Sequence, residues 1–469
     1  MAGMSDSLRL LLSKPAVSPP LDPEFRPISL GNRAYSKAVA GSKNKVPLVI
    51  ALERNGGGSV YRTEIFAPGS EFDPDTHVYV ERLVKFLLWQ KGGQKLTIGG
   101  PKDIADHIQS IYSAKGARAF DAKLMEDVYE KPFVMEWAGA NKIPQAREAS
   151  VAIGGHLDGC RIGFDLGASD YKLAAVKDGE AVFTTELPWD PKVESDPDFH
   201  YRKISEGLKL AAGHLPRVDA IGGSSAGIYI DNKVMVASLF RAVPKDVFDQ
   251  KVRPMFLNLR KEWGVPLEVA NDGDVTALAG AMSLKDNSVL GIAMGSSQAA
   301  GYLDSKGRIT GWLNEFAFAP VDYNPRAPAD EWSGDIGCGA QYFSQQAVVR
   351  LAPAAGIELP TGHPPEQLRF VQDLHKSGDP RPEKIFETIG VYLGYATALY
   401  ADLYDFRHLL ILGRITSGRG GDIILEKARL VLKTEFPDLE KRLLLHLPDE
   451  KSKRVGQAVA AASLPACPP

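Results

Sequence analysis

Residues 163–172 read Gly-Phe-Asp-Leu-Gly-Ala-Ser-Asp-Tyr-Lys and lie between two runs that are typical of β-strands. Two such runs around a short turn predict a β-hairpin. Gly167 lets a backbone N–H approach an anion without interference from a Cβ, and Ser169 and Lys172 offer further donors. Asp165, at the end of the first predicted strand, can hold a magnesium ion through water. The stretch therefore indicates a phosphate-binding turn, with an ordinary structural hairpin as the alternative.

Two later stretches repeat the pattern of an apolar strand followed by a turn of small residues. Residues 289–304 predict a second hairpin, and residues 408–421 predict a strand and a glycine-rich turn ahead of a helix. The turn residues of interest are Gly295, Ser296, Gly413, Ser417 and Gly418. A glycine-rich strand-to-helix turn can receive a flat base or a ribose against its backbone. Three such turns in one chain indicate a nucleotide site more strongly than any one of them.

Asn271 and Asp272 end a predicted strand and open an alanine-rich predicted helix. Phosphoryl transfer to an alcohol requires a carboxylate within hydrogen-bond reach of the hydroxyl, and Asp272 is the candidate for that general base. The alternative is that Asn271 or Asp272 only caps the helix, which both residue types do well. Asp274 is predicted to be a first-turn acid that interacts favourably with the helix dipole.

The order of these motifs resembles that of the ROK branch of bacterial sugar kinases. The shared order is phosphate hairpin, Asn-Asp before a helix, second phosphate hairpin, Asn-Glu at 314–315, adenosine turn and a closing Gly-x-Ala-x-Ala-Ala helix. The resemblance covers residues 155–469 and implies an α/β, two-lobed actin-like ATPase (ribonuclease H-like) fold. The small lobe is expected at 155–270 plus 452–469, and the large lobe at 271–451.

The resemblance implies an ATP-dependent kinase that transfers the γ-phosphoryl group to a hydroxyl of a hexose-like monosaccharide. Asp272 would be the general base, and ATP and Mg²⁺ the cofactors, with the magnesium ion held near Asp165 through water. The implied phosphate and adenosine contacts are Asp165, Gly167, Ser169, Lys172, Gly295, Ser296, Gly413, Ser417 and Gly418. The implied sugar contacts are Asn271, Glu315, Ser225 and Gly227, of which the last two could equally form a tight structural turn.

Three positions depart from the family pattern. Phe318 replaces a His that touches sugar and binds zinc, Ala340 replaces a second sugar-binding Glu, and Cys338 alone remains of the zinc cysteines. One thiol cannot form a Cys₃His site, so no zinc is expected. The expected substrate is then an unusual monosaccharide or a polyol. The polar residues nearby that could contact it, unless they lie in a solvated loop, are Glu331, Asp335 and Gln341.

Composition excludes several classes of protein. The chain has 469 residues, 44% of them hydrophobic, which is enough for more than one buried core. Its net charge of -3 and scattered Lys and Arg residues argue against a nucleic-acid partner. No apolar run approaches the roughly 20 residues of a membrane span, and no signal segment is evident. Three widely spaced cysteines favour a reducing compartment, so we expect a cytoplasmic protein. We also expect a homodimer, with no membrane partner.

The region before residue 150 lies outside the resemblance. Residues 1–45 are rich in proline and predict an extended arm, and residues 46–150 predict an α+β appendage of unknown role. A Gly-rich stretch at 55–58 predicts a hairpin tip. No pair of helices with a basic recognition helix is evident, which argues against a repressor. The alternative to a kinase is a non-catalytic sugar- or nucleotide-sensing regulatory protein, although a sensor needs no general base such as Asp272.

Overall fold

The first part of the chain forms an α+β unit around a four-stranded sheet in the order β2-β1-β3-β4. The computed structural model describes residues 8–467, apart from 144, 149, 152–153, 168–169 and 449. The elements of this first unit are α1 (Ile28–Gly41), β1 (Lys45–Arg54), β2 (Gly57–Phe66), α2 (Asp73–Lys91), β3 (Lys95–Gly99), α3 (Lys102–Ile111), α4 (Ala119–Tyr129) and β4 (Val134–Ala138). A short strand, β5 (Ser150–Val151), follows. Strands β1 and β2 form the hairpin expected at the glycine-rich stretch.

Helix α1 differs from the extended arm that the proline-rich start predicts. Ile28, Tyr35 and Val39 recur at helical spacing and are buried, so they form one apolar face. Pro27 lies just before the helix, where its missing N–H costs no intrahelical hydrogen bond. The prolines therefore precede the helix instead of interrupting it.

The small lobe contains a five-stranded sheet in the order β12-β9-β6-β7-β8. Its elements are β6 (Cys160–Leu166), β7 (Asp170–Lys177), β8 (Glu180–Pro188), α5 (Pro197–Ala212), β9 (Ala220–Ser225), β10 (Ile228–Ile230), β11 (Lys233–Val236), α6 (Lys245–Val247), α7 (Met255–Trp263) and β12 (Leu267–Asn271). Strands β6, β7 and β8 form an antiparallel meander, and β9 and β12 run parallel to β6.

The large lobe repeats this topology in a six-stranded sheet, β17-β16-β13-β14-β15-β5. Its elements are α8 (Asp272–Leu284), β13 (Val289–Met294), β14 (Gln298–Leu303), β15 (Ile309–Thr310), α9 (Gln345–Leu351), α10 (Pro364–Lys376), α11 (Arg381–Ala401), β16 (His408–Leu412), α12 (Arg419–Glu435), α13 (Pro437–Arg442), β17 (Leu444–His446) and α14 (Glu450–Ala462). In each lobe the third, second, first, fourth and fifth strands lie side by side. This repeat is the two-lobed actin-like ATPase fold expected from the motif order.

Helix α14 returns from the large lobe to cover the sheet of the small lobe. A Cβ at Gly163 would lie 1.8 Å from the Ala458 carbonyl oxygen, and a Cβ at Gly222 would lie 1.7 Å from that of Ala461. The strands can therefore approach the helix this closely only where they carry glycine and the helix carries alanine. Of the helices that the structure describes, none has an apolar stretch long enough to span a bilayer.

The N-terminal unit and the large lobe share one apolar core. Buried side chains of α1, α2 and β1 belong to the same cluster as those of α11 and α12. Phe25, ahead of α1, lies edge-on to Tyr392 of α11 with 4.7 Å between ring centroids. The N-terminal unit is therefore packed against the large lobe as part of its core, and this position brings α2 to the site described next.

Candidate active site between the lobes

Predicted site residues meet at one edge of the small-lobe sheet. Leu166, Ser225 and Asn271 are neighbours in register at the carboxyl ends of the parallel strands β6, β9 and β12. Asp165 and Ser224 form the preceding pair in that register. Ligands of open α/β sheets bind in the crevice beyond the carboxyl ends of the strands. The strand order thus gathers residues that are far apart in sequence at a ligand-binding edge.

Asp165 is buried at this edge. Ser224 Oγ donates to its Oδ1 at 2.7 Å, and Lys172 Nζ lies 3.5 Å from its Oδ2. Burial raises the pKa of Asp165, although Lys172 and the Ser224 hydrogen bond act in the opposite direction. The Gly167 N–H donates to the Asp170 carbonyl oxygen at 2.9 Å, so this amide closes the hairpin turn. The predicted phosphate contact Ser169 lies outside the described residues.

Asn271, and not Asp272, caps helix α8. Its Oδ1 accepts a hydrogen bond from the Gly273 N–H at 2.7 Å, and its Nδ2 donates to the Gly227 carbonyl oxygen at 2.6 Å. Asp272 is the first residue of the helix and does not supply this cap. Its Oδ1 is buried and has no hydrogen-bond partner in the part of the chain that the structure describes. Burial, followed by the charge of Asp165, raises the pKa of Asp272 to about 6.

Two further acids lie near Asp272. Burial raises the pKa of Asp274 to about 7, although the Asn314 side chain donates to its Oδ1 at 3.2 Å. Burial, followed by the charges of Asp272 and Asp274, raises the pKa of Glu315 to about 8. Asp274 therefore does more than interact with a helix dipole, because its carboxylate is bonded to the side chain of Asn314, the residue before Glu315. Mutual repulsion disfavours ionisation of all three acids together near neutral pH.

Close backbone contact fixes the start of α8. A Cβ at Gly301 of β14 would lie 2.1 Å from the Gly273 carbonyl oxygen, and one at Gly273 would lie 2.2 Å from that of Ala300. Asp272 is the residue before this contact, so its position depends on two glycines in different elements. The motif Asn-Asp-Gly marks the first of them, whereas Gly301 gives no local sequence signal of its role.

Gly301→Ala is expected to destabilise the protein by about 1–3 kcal/mol, because the added methyl group has no room and must displace α8. Gly295→Ala is the matched control in the same hairpin. A Cβ there would meet only the Ser297 carbonyl oxygen, at 3.7 Å, which is ordinary contact. Urea unfolding of both variants checks this, and equal stabilities would contradict the close contact at Gly301.

The second hairpin turn and the glycine-rich turn lie beside each other. Ala293 of β13 pairs with Leu412 of β16, one residue before the glycine-rich turn. Gly413 has φ 108°, and a Cβ there would lie 2.4 Å from the Met294 carbonyl oxygen. The Gly295 N–H donates to Ser297 O at 2.9 Å, which repeats the closed turn at Gly167.

Ser417 and Gly418 line a cavity of about 140 Å³ at the start of α12. Phe386 and His375 form part of its wall. Ser296, at the tip of the second hairpin, is exposed. An apolar ring beside glycine backbone is a surface against which a base can stack.

Ser225 and Gly227 stabilise the turn between β9 and β10. Tyr229 Oη donates to Ser225 Oγ at 2.6 Å. Gly227 has φ +127°, and a Cβ there would lie 2.5 Å from the Val236 carbonyl oxygen. Because its own carbonyl holds Asn271, this turn orients the Asn-Asp pair. Both residues therefore have structural roles whether or not they contact a ligand.

Helix α2 of the N-terminal unit holds the segment that carries Glu315. The Asn314 N–H donates to the Gln90 carbonyl oxygen and the Glu315 N–H donates to that of Trp89, both at 3.0 Å. Tyr404 Oη donates to Asn314 Oδ1 at 2.9 Å. Sequence analysis missed this support because backbone carbonyls carry no residue signature. Asn314 itself has φ 53°, a conformation that asparagine tolerates better than most residues.

Sequence analysis also missed Gln457 of α14. Its Nε2 lies within hydrogen-bond distance of three oxygens: the Asp272 carbonyl at 3.0 Å, Thr276 Oγ1 at 3.2 Å and Ser224 Oγ at 3.3 Å. The last of these hydroxyls donates to Asp165. Gln457 thus connects the two acidic positions through a single amide group.

Buried charged side chains surround the region of Cys338. The Asp335 carboxylate lies 2.7 Å from Arg82 Nη1, 2.7 Å from Arg118 Nη1 and 3.3 Å from Lys85 Nζ. Burial acts to raise the pKa of Asp335, but the three cations outweigh it and hold that pKa far below its usual range. Asp335 is therefore engaged with the N-terminal unit, which corrects its interpretation as a sugar contact.

The other departures from the family pattern lie around these ions. Phe318 packs on Trp89 of α2 with 4.4 Å between ring centroids. Ala340 is buried, and Gln341 Nε2 donates to Gln346 Oε1. Glu331 is exposed, in agreement with a solvated loop. The prediction that zinc is absent stays a prediction.

Asp165 is the residue that could hold a magnesium ion. Mg²⁺ prefers oxygen ligands and is commonly bound by one or two carboxylates together with phosphates and waters. The carboxylate of Asp165 is buried, and its charge raises the pKa of Asp272, so a cation here would relieve unfavourable charge at both residues. Over the described ranges, no three His, Cys, Asp or Glu side chains cluster as metal ligands.

Comparison with solved structures identifies the fold. A ROK-family glucokinase from Streptomyces griseus, in complex with glucose and AMPPNP, is 20% identical, with a TM-score of 0.50 over 65% of this chain and 98% of that chain. A ROK-family transcriptional regulator, a homologue of the E. coli MLC protein, is 20% identical, with a TM-score of 0.54 over 66% of this chain and 78% of that chain. The ROK hexokinase from Thermus thermophilus is 19% identical, with a TM-score of 0.50 over 65% and 97%. No family model and no curated protein matches the chain.

Proposed function

From a fold that it shares with ROK-family kinases and a ROK-family regulator, we propose that this chain is an ATP-dependent sugar kinase. The observation that carries the proposal is Asp272, a half-buried acid at the carboxyl edge of the sheet. Its Oδ1 is buried without a hydrogen-bond partner among the described residues, and its pKa is raised to about 6. The preceding residue, Asn271, caps helix α8. Helix capping therefore does not account for the presence of Asp272 at this position. The substrate class is a hexose-like monosaccharide or a polyol.

In the proposed mechanism, Asp272 orients the acceptor hydroxyl and takes its proton as the oxygen attacks the γ-phosphorus of ATP. The bond between the γ-phosphorus and the oxygen that bridges to the β-phosphate breaks, and ADP leaves. Glu315 and Asn271 position the sugar by hydrogen bonds to other hydroxyls. A site built around such bonds rejects analogues that lack them, because the buried partners would be left unpaired.

The nucleotide would lie with its phosphates between the two hairpin turns and its adenosine near Gly413, Ser417 and Gly418. Lys172, Ser169 and Ser296 supply donors toward the phosphates. A magnesium ion near Asp165 would neutralise charge on the β- and γ-phosphates when bound. Closure of the lobes over both substrates would exclude water and suppress hydrolysis of ATP.

A coupled assay of ADP release tests this proposal. The purified chain is mixed with ATP and magnesium and offered hexoses, amino sugars, ketoses and polyols one at a time. Turnover on one or a few of them supports the kinase and names its substrate. No turnover on any, with ATP or a sugar still raising the melting temperature, would contradict it and favour a binding protein.

The value of kcat/KM is expected to fall about tenfold per pH unit as the pH drops below about 6. Asp272 must be ionised to accept a proton, and its pKa is raised to about 6, so the active fraction declines below that value. The measurement is kcat/KM at saturating magnesium between pH 4.5 and 8. A constant rate down to pH 5 would contradict the assignment of Asp272 as the base.

A second candidate function is a sugar- or nucleotide-sensing regulatory protein without catalysis. The likeness to a ROK-family transcriptional regulator favours it. The two functions differ in the need for a base, since a sensor would bind its ligand equally well with Asp272 present or replaced. Ligand-induced shifts in melting temperature without release of ADP would select the sensor.

A further inference from the structure

A second cavity, with a volume of about 250 Å³, lies between the N-terminal unit and the large lobe. Strands β1 and β2, helix α2 and the residues after α11 contribute to its wall. Its polar lining residues are Ser59, Tyr61, Gln90, Lys91, Glu148 and Asp402. This volume is below the roughly 300–1,000 Å³ of drug-sized ligand sites and suits a compound of monosaccharide size.

Lys91 is the unpaired cation of this cavity. Its Nζ lies 2.8 Å from the centroid of the Trp312 ring, and no carboxylate of the described chain lies within ion-pair distance of it. Burial lowers the pKa of Lys91 to about 7; the charge of Glu148 opposes this and that of Arg54 adds to it. A half-buried ammonium group over a ring face still lacks an anion to complete its hydrogen bonds.

The two carboxylates of the cavity already have partners. Glu148 Oε2 accepts hydrogen bonds from Arg54 Nη2 at 2.9 Å and from Trp312 Nε1 at 2.8 Å. Asp402 Oδ1 accepts from Arg33 Nη2 at 2.8 Å. Each acid is therefore matched by an arginine, and the charge of Lys91 is left over.

Two neutral groups of the lining also lack partners. Gln90 is fully buried; its Nε2 donates to the Leu403 carbonyl oxygen at 3.2 Å, while its Oε1 has no donor among the residues described. The Tyr61 hydroxyl likewise has no hydrogen bond to any part of the chain that the structure describes. A ligand with hydroxyl groups could satisfy both, because a hydroxyl both donates and accepts.

We propose that this cavity binds a small anion that carries hydroxyl groups, such as a sugar acid or a sugar phosphate. The anionic group pairs with Lys91, and the hydroxyls bond to Tyr61 and Gln90. Both kinds of compound carry an anionic group on a polyhydroxylated carbon chain. The anionic group is a carboxylate in a sugar acid and a phosphate in a sugar phosphate.

The cavity connects directly to the proposed sugar site. The Gln90 carbonyl oxygen accepts a hydrogen bond from the Asn314 N–H, and Lys91 Nζ lies over the ring of Trp312, two residues before Asn314. Both lining residues therefore contact the segment that carries Glu315. The regulatory part of the inference, that a bound anion changes sugar phosphorylation, rests on the proposed function. The binding part does not.

Isothermal titration calorimetry of the full chain without ATP tests the binding part. The probes are D-gluconate, D-glucitol and D-glucitol 6-phosphate, which share a six-carbon chain and differ in charge. We expect at least one anion to bind in a manner that depends on Lys91, whereas any binding of neutral glucitol, which the proposed sugar site could accept, should not change in Lys91→Met. Affinity should be several-fold higher at pH 6 than at pH 8, since Lys91 is protonated below about 7. Failure of both anions to bind at millimolar concentration would overturn the proposal.

Three variants locate the binding. Lys91→Met removes the charge and should weaken anion binding at least about tenfold, the size of a lost charge-assisted hydrogen bond. Tyr61→Phe keeps every charge but removes the hydroxyl that would bond to the ligand, and should weaken anion binding several-fold. Lys43→Met, at an exposed position of the same unit, is the control that should bind normally. Normal binding by Lys91→Met and Tyr61→Phe would overturn the site.

The effect on activity is measured separately, as KM for the sugar with and without the anion that binds. A change in the wild type that is lost in Lys91→Met supports the connection to Glu315, whereas an unchanged KM overturns that part alone. If the chain shows no kinase activity, the proposed function fails while the calorimetric result still decides the site.

Discussion

Asp272→Asn is expected to lower turnover on the best sugar by a factor of about 10² or more while leaving the affinities for sugar and ATP nearly unchanged. The amide keeps the shape of the side chain and can still donate to or accept from a hydroxyl, but it cannot take a proton. Asn271 caps α8 independently, so the helix retains its N-terminal hydrogen bond in the variant. The measurement is steady-state release of ADP, with binding followed by calorimetry.

The same variant should be more stable than the wild type at pH 8. The pKa of Asp272 is raised from 3.8 to about 6, so ionisation costs the folded state up to about 3 kcal/mol once the pH exceeds 6. Wild-type stability attributable to this group is full below its ordinary pKa and is lost as the pH rises through about 6. Melting temperatures of both proteins should therefore coincide near pH 4 and separate by pH 8.

Asp274→Asn is the matched control, since Asp274 is a half-buried acid two residues away whose carboxylate accepts a hydrogen bond from Asn314. We expect a smaller loss of turnover than for Asp272→Asn, because Asp274 acts on the position of the Glu315 segment and not on the reacting hydroxyl. Similar losses in the two variants would argue that the acids act as one group. Wild-type turnover by Asp272→Asn would refute the general base.

Asp335→Asn is expected to destabilise the protein by about 3–5 kcal/mol, because it leaves Arg82, Lys85 and Arg118 with one carboxylate too few in a buried site. The cations and Asp335 lie at the junction of the N-terminal unit and the large lobe, where the side chain of Asp335 is only 6% exposed. Urea unfolding followed by tryptophan fluorescence measures the loss.

The same substitution should raise the KM for sugar. The segment after Asp335 pairs with the segment after Glu315, through the Gly339 N–H to Ala319 O at 2.9 Å and the Val321 N–H to Gly337 O at 2.8 Å. Loosening one segment therefore loosens the other.

Asp106→Asn provides the comparison for a solvated ion pair. Asp106 bonds Lys102 one helical turn away, and the side chains are 55% and 63% exposed. Its loss should cost less than about 1 kcal/mol. Equal effects of the two substitutions would show that the ions around Asp335 are no more important than surface charges.

Local patterns were sufficient to predict the elements that are proposed to hold the phosphates. The hairpins around Gly167 and Gly295 and the strand-to-helix step at Asn271 each depend on an apolar run and the few residues that end it. Interactions within such a stretch are short-range, so they leave a readable signature. Helix α1 was missed because the prolines before it dominate the local pattern, whereas its stability comes from apolar contacts that the sequence pattern does not show.

The sequence by itself determined the order of strands, turns and helices that builds two α/β lobes, together with the acid that opens α8, because these features are encoded within a few neighbouring residues. Only the tertiary structure decided how Glu315 is held and what surrounds Cys338. Arg82, Arg118 and Asp335 resemble surface charges when read along the chain, and the carbonyls of Trp89 and Gln90 have no sequence signature. Their roles depend on long-range packing that buries charge and aligns backbone from distant segments, which is the part of the free energy that local sequence does not report.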